Sequence, residues 1–152
     1  MGEERLSRAE MLALLGGVLL LLGLFLGWYH ADNARNVIAG EPGPVTVSGW
    51  EAHPTMRWLL LLAALAPFIL AYIVVRGHAL SWPRGELTAV VSLAAFVLVG
   101  YNALLDRPGT VSSLTSLRVG ALVALLGTVL MFVGSALRSS SVERARKPPG
   151  VL

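Results

Sequence analysis

A chain of 152 residues with 55% hydrophobic and only 14% charged residues, and a mean hydropathy of +0.71, departs from soluble domains, in which about 25% of residues are charged. That length provides for a single domain, residues 1–152, and the imbalance points into a bilayer. The net charge of +3 and pI of 10.0 sit on no basic soluble module able to follow a phosphate backbone, so nucleic acid is excluded as a partner; the absence of cysteine likewise excludes disulfides and thiol chemistry.

A helix rising about 1.5 Å per residue needs about 20 apolar residues to cross roughly 30 Å of hydrocarbon. Four charge-free runs meet that length, at 11–29, 58–75, 87–105 and 119–137. The expected fold class is therefore an all-α membrane protein, a four-transmembrane-helix bundle, with a short strand-containing outer loop between the first two helices. Arg5 and Arg8 precede the first run, as they would in a signal peptide. The run is nevertheless too long, Glu3, Glu4 and Glu10 dilute its basic flank, and Gly27-Trp28-Tyr29 offers no small-x-small cleavage site, so it is read as a retained span. It carries Gly16, Gly17, Gly23 and Gly27. Lipid tails are as apolar as leucine, so membrane helices associate by close backbone approach, and small residues mark their contact faces.

The loop at 30–57 is long for a link between adjacent helices. Glu41-Pro42-Gly43-Pro44 reads as a turn and residues 45–50 as a short strand, which together make a small ordered cap. His30, Asp32, Glu51 and His53 are acceptable zinc-ligand types, but their convergence is not fixed by spacing, and simple solvation is the plainer reading. No cofactor is expected. Trp50 is expected to anchor the loop against the bundle or the headgroups.

In the second span Pro67 removes a backbone donor and crowds the carbonyl of Ala63, so a static bend is expected. The third span carries a polar row, Thr88, Ser92, Asn102 and Asp106, with Ala95 and Val99 between at helical spacing. That row is a candidate wall for a water-filled path closed by several copies. In the plainer reading, Thr88 and Ser92 bond to backbone or to a neighbouring helix while Asn102 and Asp106 reach the outer headgroups.

The fourth span places Gly120, Gly127 and Gly134 at seven-residue steps beside Ala124, a stripe suited to a left-handed crossing. The first and fourth spans share Ala-Leu-Leu-Gly-x-Val-Leu-x-x-x-Gly, at 13–23 and 124–134. In an alphabet this restricted, composition accounts for such a match. Residues 138–152 form a basic tail ending in Pro148-Pro149-Gly150, expected to lie loosely on anionic lipid.

Orientation follows from the basic residues. Arg5, Arg8, Arg76, Arg84, Arg138, Arg144, Arg146 and Lys147 fall on one side, and Arg35, Arg57, Arg107 and Arg118 on the other. The richer side is cytoplasmic, which puts both termini there in a bacterial plasma membrane. Trp28 and Trp58 then lie at the outer boundary and Trp82 near the inner one.

Gly27-Trp28-Tyr29 closing the first span, Ser48-Gly49-Trp50-Glu51-Ala52 in the loop and the Ala/Leu/Val/Gly vocabulary resemble small uncharacterised four-span membrane proteins of high-GC actinobacteria. The layout is also similar to that of claudins: four spans and a larger first outer loop with strand character, though without the paired loop cysteines. Neither resemblance implies an activity. No metal-binding His-Glu-x-x-His pair, phosphate loop or nucleophile elbow occurs. The expectation is a non-catalytic accessory, assembly or scaffolding subunit that binds another membrane protein or itself; the alternative is an oligomeric pore lined by the third span.

Overall fold

Ser7 opens the first helix with a capping box. Its hydroxyl accepts from the Glu10 N–H at 3.2 Å, and the Glu10 carboxylate accepts from the Ser7 N–H at 2.7 Å. The structure, a computed structural model, describes residues 6–76 and 84–146, excepting the side chains of Arg84 and of residues 140–146. The expectations placed on Arg5, Trp82 and Lys147 lie outside the described residues.

Helix α1 (Arg8–Phe25) leads into strand β1 (Gly27–Ala31), a hairpin of β2 (Val37–Ile38) and β3 (Glu41–Pro42), strand β4 (Val45–Ser48), a single turn α2 (Gly49–Ala52) and helix α3 (Met56–Val75). Helix α4 (Arg84–Gly100) runs on through a π turn, Tyr101–Leu105. A 3-10 turn, Ser112–Leu114, strand β5 (Thr115–Leu117) and helix α5 (Val119–Arg146) complete the chain. Four helical stretches, Arg8–Phe25, Met56–Val75, Gly85–Leu105 and Val119–Ser139, are long and apolar enough to cross a membrane, with mean hydropathies from 1.9 to 2.6.

The helices sort their residues by size rather than by polarity. Along α1 the buried positions are Ala13, Gly16, Gly17, Leu20, Gly23 and Leu24, while Met11, Leu15, Val18, Leu22 and Phe25 line the opposite, exposed face. The same holds for α5, where Ala121, Ala124, Gly127 and Gly134 are buried and Leu122, Leu126, Phe132 and Leu137 are exposed.

Small residues inside let backbones touch. Helix α1 packs most extensively on α5, and also on α3, while α5 packs on α4. A Cβ at Gly16 would lie 2.5 Å from Met131 N, one at Gly23 would lie 2.6 Å from Ala124 N, and one at Gly134 would lie 2.7 Å from Ala13 N. The partners run in opposite senses, so α1 and α5 are antiparallel. The stripe of Gly120, Gly127 and Gly134 is thus spent inside the chain. The shared eleven-residue pattern also has a structural counterpart: Ala13 of one copy meets Gly134 of the other, and Ala124 meets Gly23, so the two copies cross about a local two-fold axis. On its other side α1 meets α3, where a Cβ at Gly17 would lie 2.7 Å from Ala64 O and 2.8 Å from Pro67 Cγ. Pro67 is therefore a buried contact on Gly17.

Several boundaries differ from those expected, among them the strand read over 45–50, which ends at Ser48 because Ser48 caps α2 and Gly49-Trp50 are helical. The first helix stops at Phe25, not at residue 29, because Leu26 is extended (φ −76°, ψ 159°) and the chain enters a sheet. Of the turn expected at Glu41-Pro42-Gly43-Pro44, only Gly43-Pro44 bend, between β3 and β4, and a tighter turn lies earlier. Ala39 (φ 54°) and Gly40 (φ 86°) make the two-residue reversal that joins β2 to β3, with Ile38 opposite Glu41. Finally, α5 continues through Arg146, so part of the expected loose tail is helix; no residue in 138–146 breaks one, and the prolines come later.

Candidate functional site

One end of the bundle is closed by a three-stranded antiparallel sheet in the order β4-β1-β5. Strand β1 lies in the middle, with Tyr29 opposite both Val47 and Leu117. Each edge strand comes from a different inter-helix connection, so the sheet stitches the two together over the helix ends. Trp28 is wholly buried here. Its indole N–H donates to Gly23 O at 2.7 Å, and its carbonyl accepts from the Arg118 N–H at 2.7 Å.

The Ser48-Gly49-Trp50-Glu51-Ala52 segment has a local explanation. Ser48 N-caps α2, with the Glu51 carboxylate accepting from both the Ser48 N–H and the Ser48 hydroxyl at 2.8 Å. Those bonds hold the Glu51 carboxyl below its ordinary range. Gly49 leaves room for the Trp28 indole, which a Cβ there would meet at 2.5 Å. Trp50 stacks on Phe25, ring centroids 5.2 Å apart, and meets Trp58 edge-on at 5.2 Å.

Asn36 ties the two connections. It is fully buried; its Nδ2 donates to Thr115 Oγ1 at 2.8 Å, its Oδ1 accepts from the Val111 N–H at 3.2 Å, and its carbonyl accepts from the Gly43 N–H at 2.9 Å. The Thr115 hydroxyl passes its own proton to Pro108 O at 3.1 Å. Gly109, at φ +130°, brings the chain past this amide so closely that a Cβ would lie 2.6 Å from Asn36 Oδ1. Thr110 adds two bonds, accepting from the Val37 N–H at 3.0 Å and donating to Arg35 O at 3.1 Å.

The π turn ends at Asp106, and Pro108 supplies no N–H, so the last carbonyls need other donors. The Tyr29 hydroxyl donates to Asn102 O at 3.1 Å and Arg107 Nε to Ala103 O at 3.1 Å. Tyr29 has one proton to give. The His53 Nε2, 2.9 Å from the same hydroxyl, must therefore be the protonated nitrogen and act as donor. Burial pushes the Tyr29 phenol upward, offset in part by Arg107 and reinforced by Asp106. Burial also pushes the His53 imidazole below its usual value, against a smaller upward pull from Asp106. Both groups stay neutral near neutral pH.

The expected site residues are not gathered together. His30 Nδ1 faces Thr46 Oγ1 at 2.8 Å with Asp32 4.0 Å from its other nitrogen, whereas His53 bonds Tyr29 and Glu51 serves its capping box. Among the described residues no three His, Asp or Glu side chains are grouped to hold a metal ion. In the row Thr88, Ser92, Asn102 and Asp106, the first two are buried among the chain's own helices with Ala95 and Val99. Ser92 donates to Ala89 O at 2.9 Å and Asn102 Nδ2 to Leu98 O at 2.9 Å; Asp106 alone is exposed. Within one chain, then, the inner half of this row, Thr88 and Ser92, is covered by neighbouring helices, while Asn102 is half-buried and Asp106 is open. At the other end of the bundle Glu10 pairs with Arg138 beside a cavity of about 30 Å3, also lined by Pro67, Thr88, Gly134 and Ser135, room for about one water.

Sequence reasoning missed Asn36, Thr115 and the Tyr29–His53 pair. The Pro108-Gly109 dipeptide was an available turn signal; a lone Asn in a polar loop was not. Comparison of the chain with protein-family models, with curated proteins and with solved structures finds no match.

Proposed function

We propose that this is a multi-pass protein of the bacterial cytoplasmic membrane, with four spans, both termini cytoplasmic and the sheet cap outside. It acts as a non-catalytic accessory, assembly or scaffolding subunit that binds another membrane protein or a second copy of itself. The observation that carries the reading is the cap: two connections joined through one central strand and a buried Asn36 give a preformed surface, and preformed surfaces bind without an ordering cost.

The membrane part is supported by the helix perimeter, which exposes Leu, Val and Phe while hiding Gly and Ala, an arrangement suited to lipid and unsuited to water. The partner part is tested by native purification in nanodiscs with crosslinking and mass spectrometry. A stoichiometric membrane partner, or a specific homo-oligomer, is expected; recovery only as an isolated monomer contradicts it.

A further inference from the structure

Arg57 stands second in α3, at the rim of the capped end. Its guanidinium carbon lies 5.0 Å from the centroid of Trp50 and 5.6 Å from that of Trp58. Trp50 is in turn fixed between Phe25 and Trp58. The cation is therefore held in place by rings that satisfy its face and leave its N–H edge unanswered. The Arg57 side chain makes no hydrogen bond or ion pair with any described residue, and its Nε is sealed from solvent without an acceptor.

The two terminal amino groups of the guanidinium are not sealed, and as unpaired charged donors they are best met by an oxyanion. Two neighbouring features say which kind. Thr55 places no side-chain bond on the start of α3, so the partial positive charge of a 20-residue helix adds to that of the guanidinium. Trp58 and Phe25 are 53% and 56% exposed on the bundle perimeter, offering an apolar flank beside the charge. An anion with an acyl tail meets both; a free phosphate meets only the first.

We propose that Arg57, Trp50 and Trp58 form a binding site for the phosphate of a membrane phospholipid in the outer leaflet. The site rests on the membrane reading above: under it, the rim of the capped end lies at headgroup level with the exposed rings on the acyl side.

The test is native mass spectrometry of the full chain released from nanodiscs of mixed phosphatidylglycerol and phosphatidylcholine. Wild type is expected to retain one phospholipid per chain. Arg57→Gln is expected to lower that retention at least about tenfold, the scale of one lost charge-assisted contact. Arg57→Lys, which keeps charge but loses the planar stack, falls between them and serves if Arg57→Gln does not fold. Arg118→Gln, removing another cation from the same end, retains lipid as wild type does. Equal retention by wild type and the Arg57 variants overturns the site, as does displacement of the lipid by millimolar inorganic phosphate. Resistance of the protein to carbonate extraction separates the two claims: a carbonate-resistant protein without bound lipid overturns this site alone, and one that carbonate extracts overturns the membrane reading and the site with it.

Discussion

Gly16 and Gly127 lie face to face across the seam between α1 and α5, each under the carbonyl of the other. A Cβ on Gly16 would come 2.6 Å from Gly127 O, and one on Gly127 would come 2.7 Å from Gly16 O. These atoms are backbone and cannot swing away.

Adding side-chain volume at this crossing must therefore push two helices apart. Gly127→Leu and Gly16→Val are each expected to destabilise the bundle by about 2–3 kcal/mol, the scale of overpacking, and to lower the thermal unfolding midpoint in detergent. Leu22→Ala, on the exposed face of α1, is expected to leave the midpoint nearly unchanged. Equal effects at the two kinds of position would contradict the packing described.

Removal of the Asn36 side chain takes one of two partners from the buried Thr115 hydroxyl, which keeps Pro108 O, and takes the acceptor from the half-buried Val111 N–H. Asn36→Ala is expected to cost about 1–3 kcal/mol and to release the Val111 amide to hydrogen exchange. The helical signal should be retained, because Asn36 touches the cap and not the spans. Protection of Val111 equal to wild type would count against Asn36 as the tie.

The His53 imidazole gives the cap a pH dependence of known sign. Its folded pKa is depressed by burial, so the unfolded state binds the extra proton more readily, and cap stability is full above the ordinary value of 6.5 and lost as pH falls through the folded value. Asp106 and Arg107 are the charged groups beside this pair. The unfolding midpoint, or exchange of β1 amides, should drop between about pH 7 and pH 5 in wild type and much less in His53→Gln, which has no imidazole to protonate. A wild-type midpoint flat over that interval would rule out the buried neutral histidine.

The four long apolar helices were legible in the sequence as charge-free runs, and the glycines of α1 and α5 because close approach tolerates little else. The end of the first span was not. Residues 26–29 are as charge-free as the helix before them, yet Trp28 and Tyr29 are claimed by the indole bond to Gly23 and by pairing on both sides of β1, neither of which leaves a trace in hydropathy. Strand β5 is three residues long and has no pattern of its own to read. His53 drew notice as a metal-ligand type; its real partner is an aromatic hydroxyl 24 residues away in sequence, and only the fold supplies that pairing. The polar row on the third long helix had the right period, and Ser92 bonds to backbone as its plainer reading expects; which neighbours cover Thr88 and Ser92 was not legible, since periodicity gives a face and not what covers it.

The chain has no cysteine of its own, so single cysteines report position without background. Ala34→Cys on the exposed cap and a cysteine appended after Leu152 should be probed in intact cells with a membrane-impermeant maleimide. The account predicts labelling of the cap cysteine in intact cells and of the appended one only after lysis. Labelling of both in intact cells, of neither before lysis, or the reverse pattern would contradict a four-span bundle capped on its outer face.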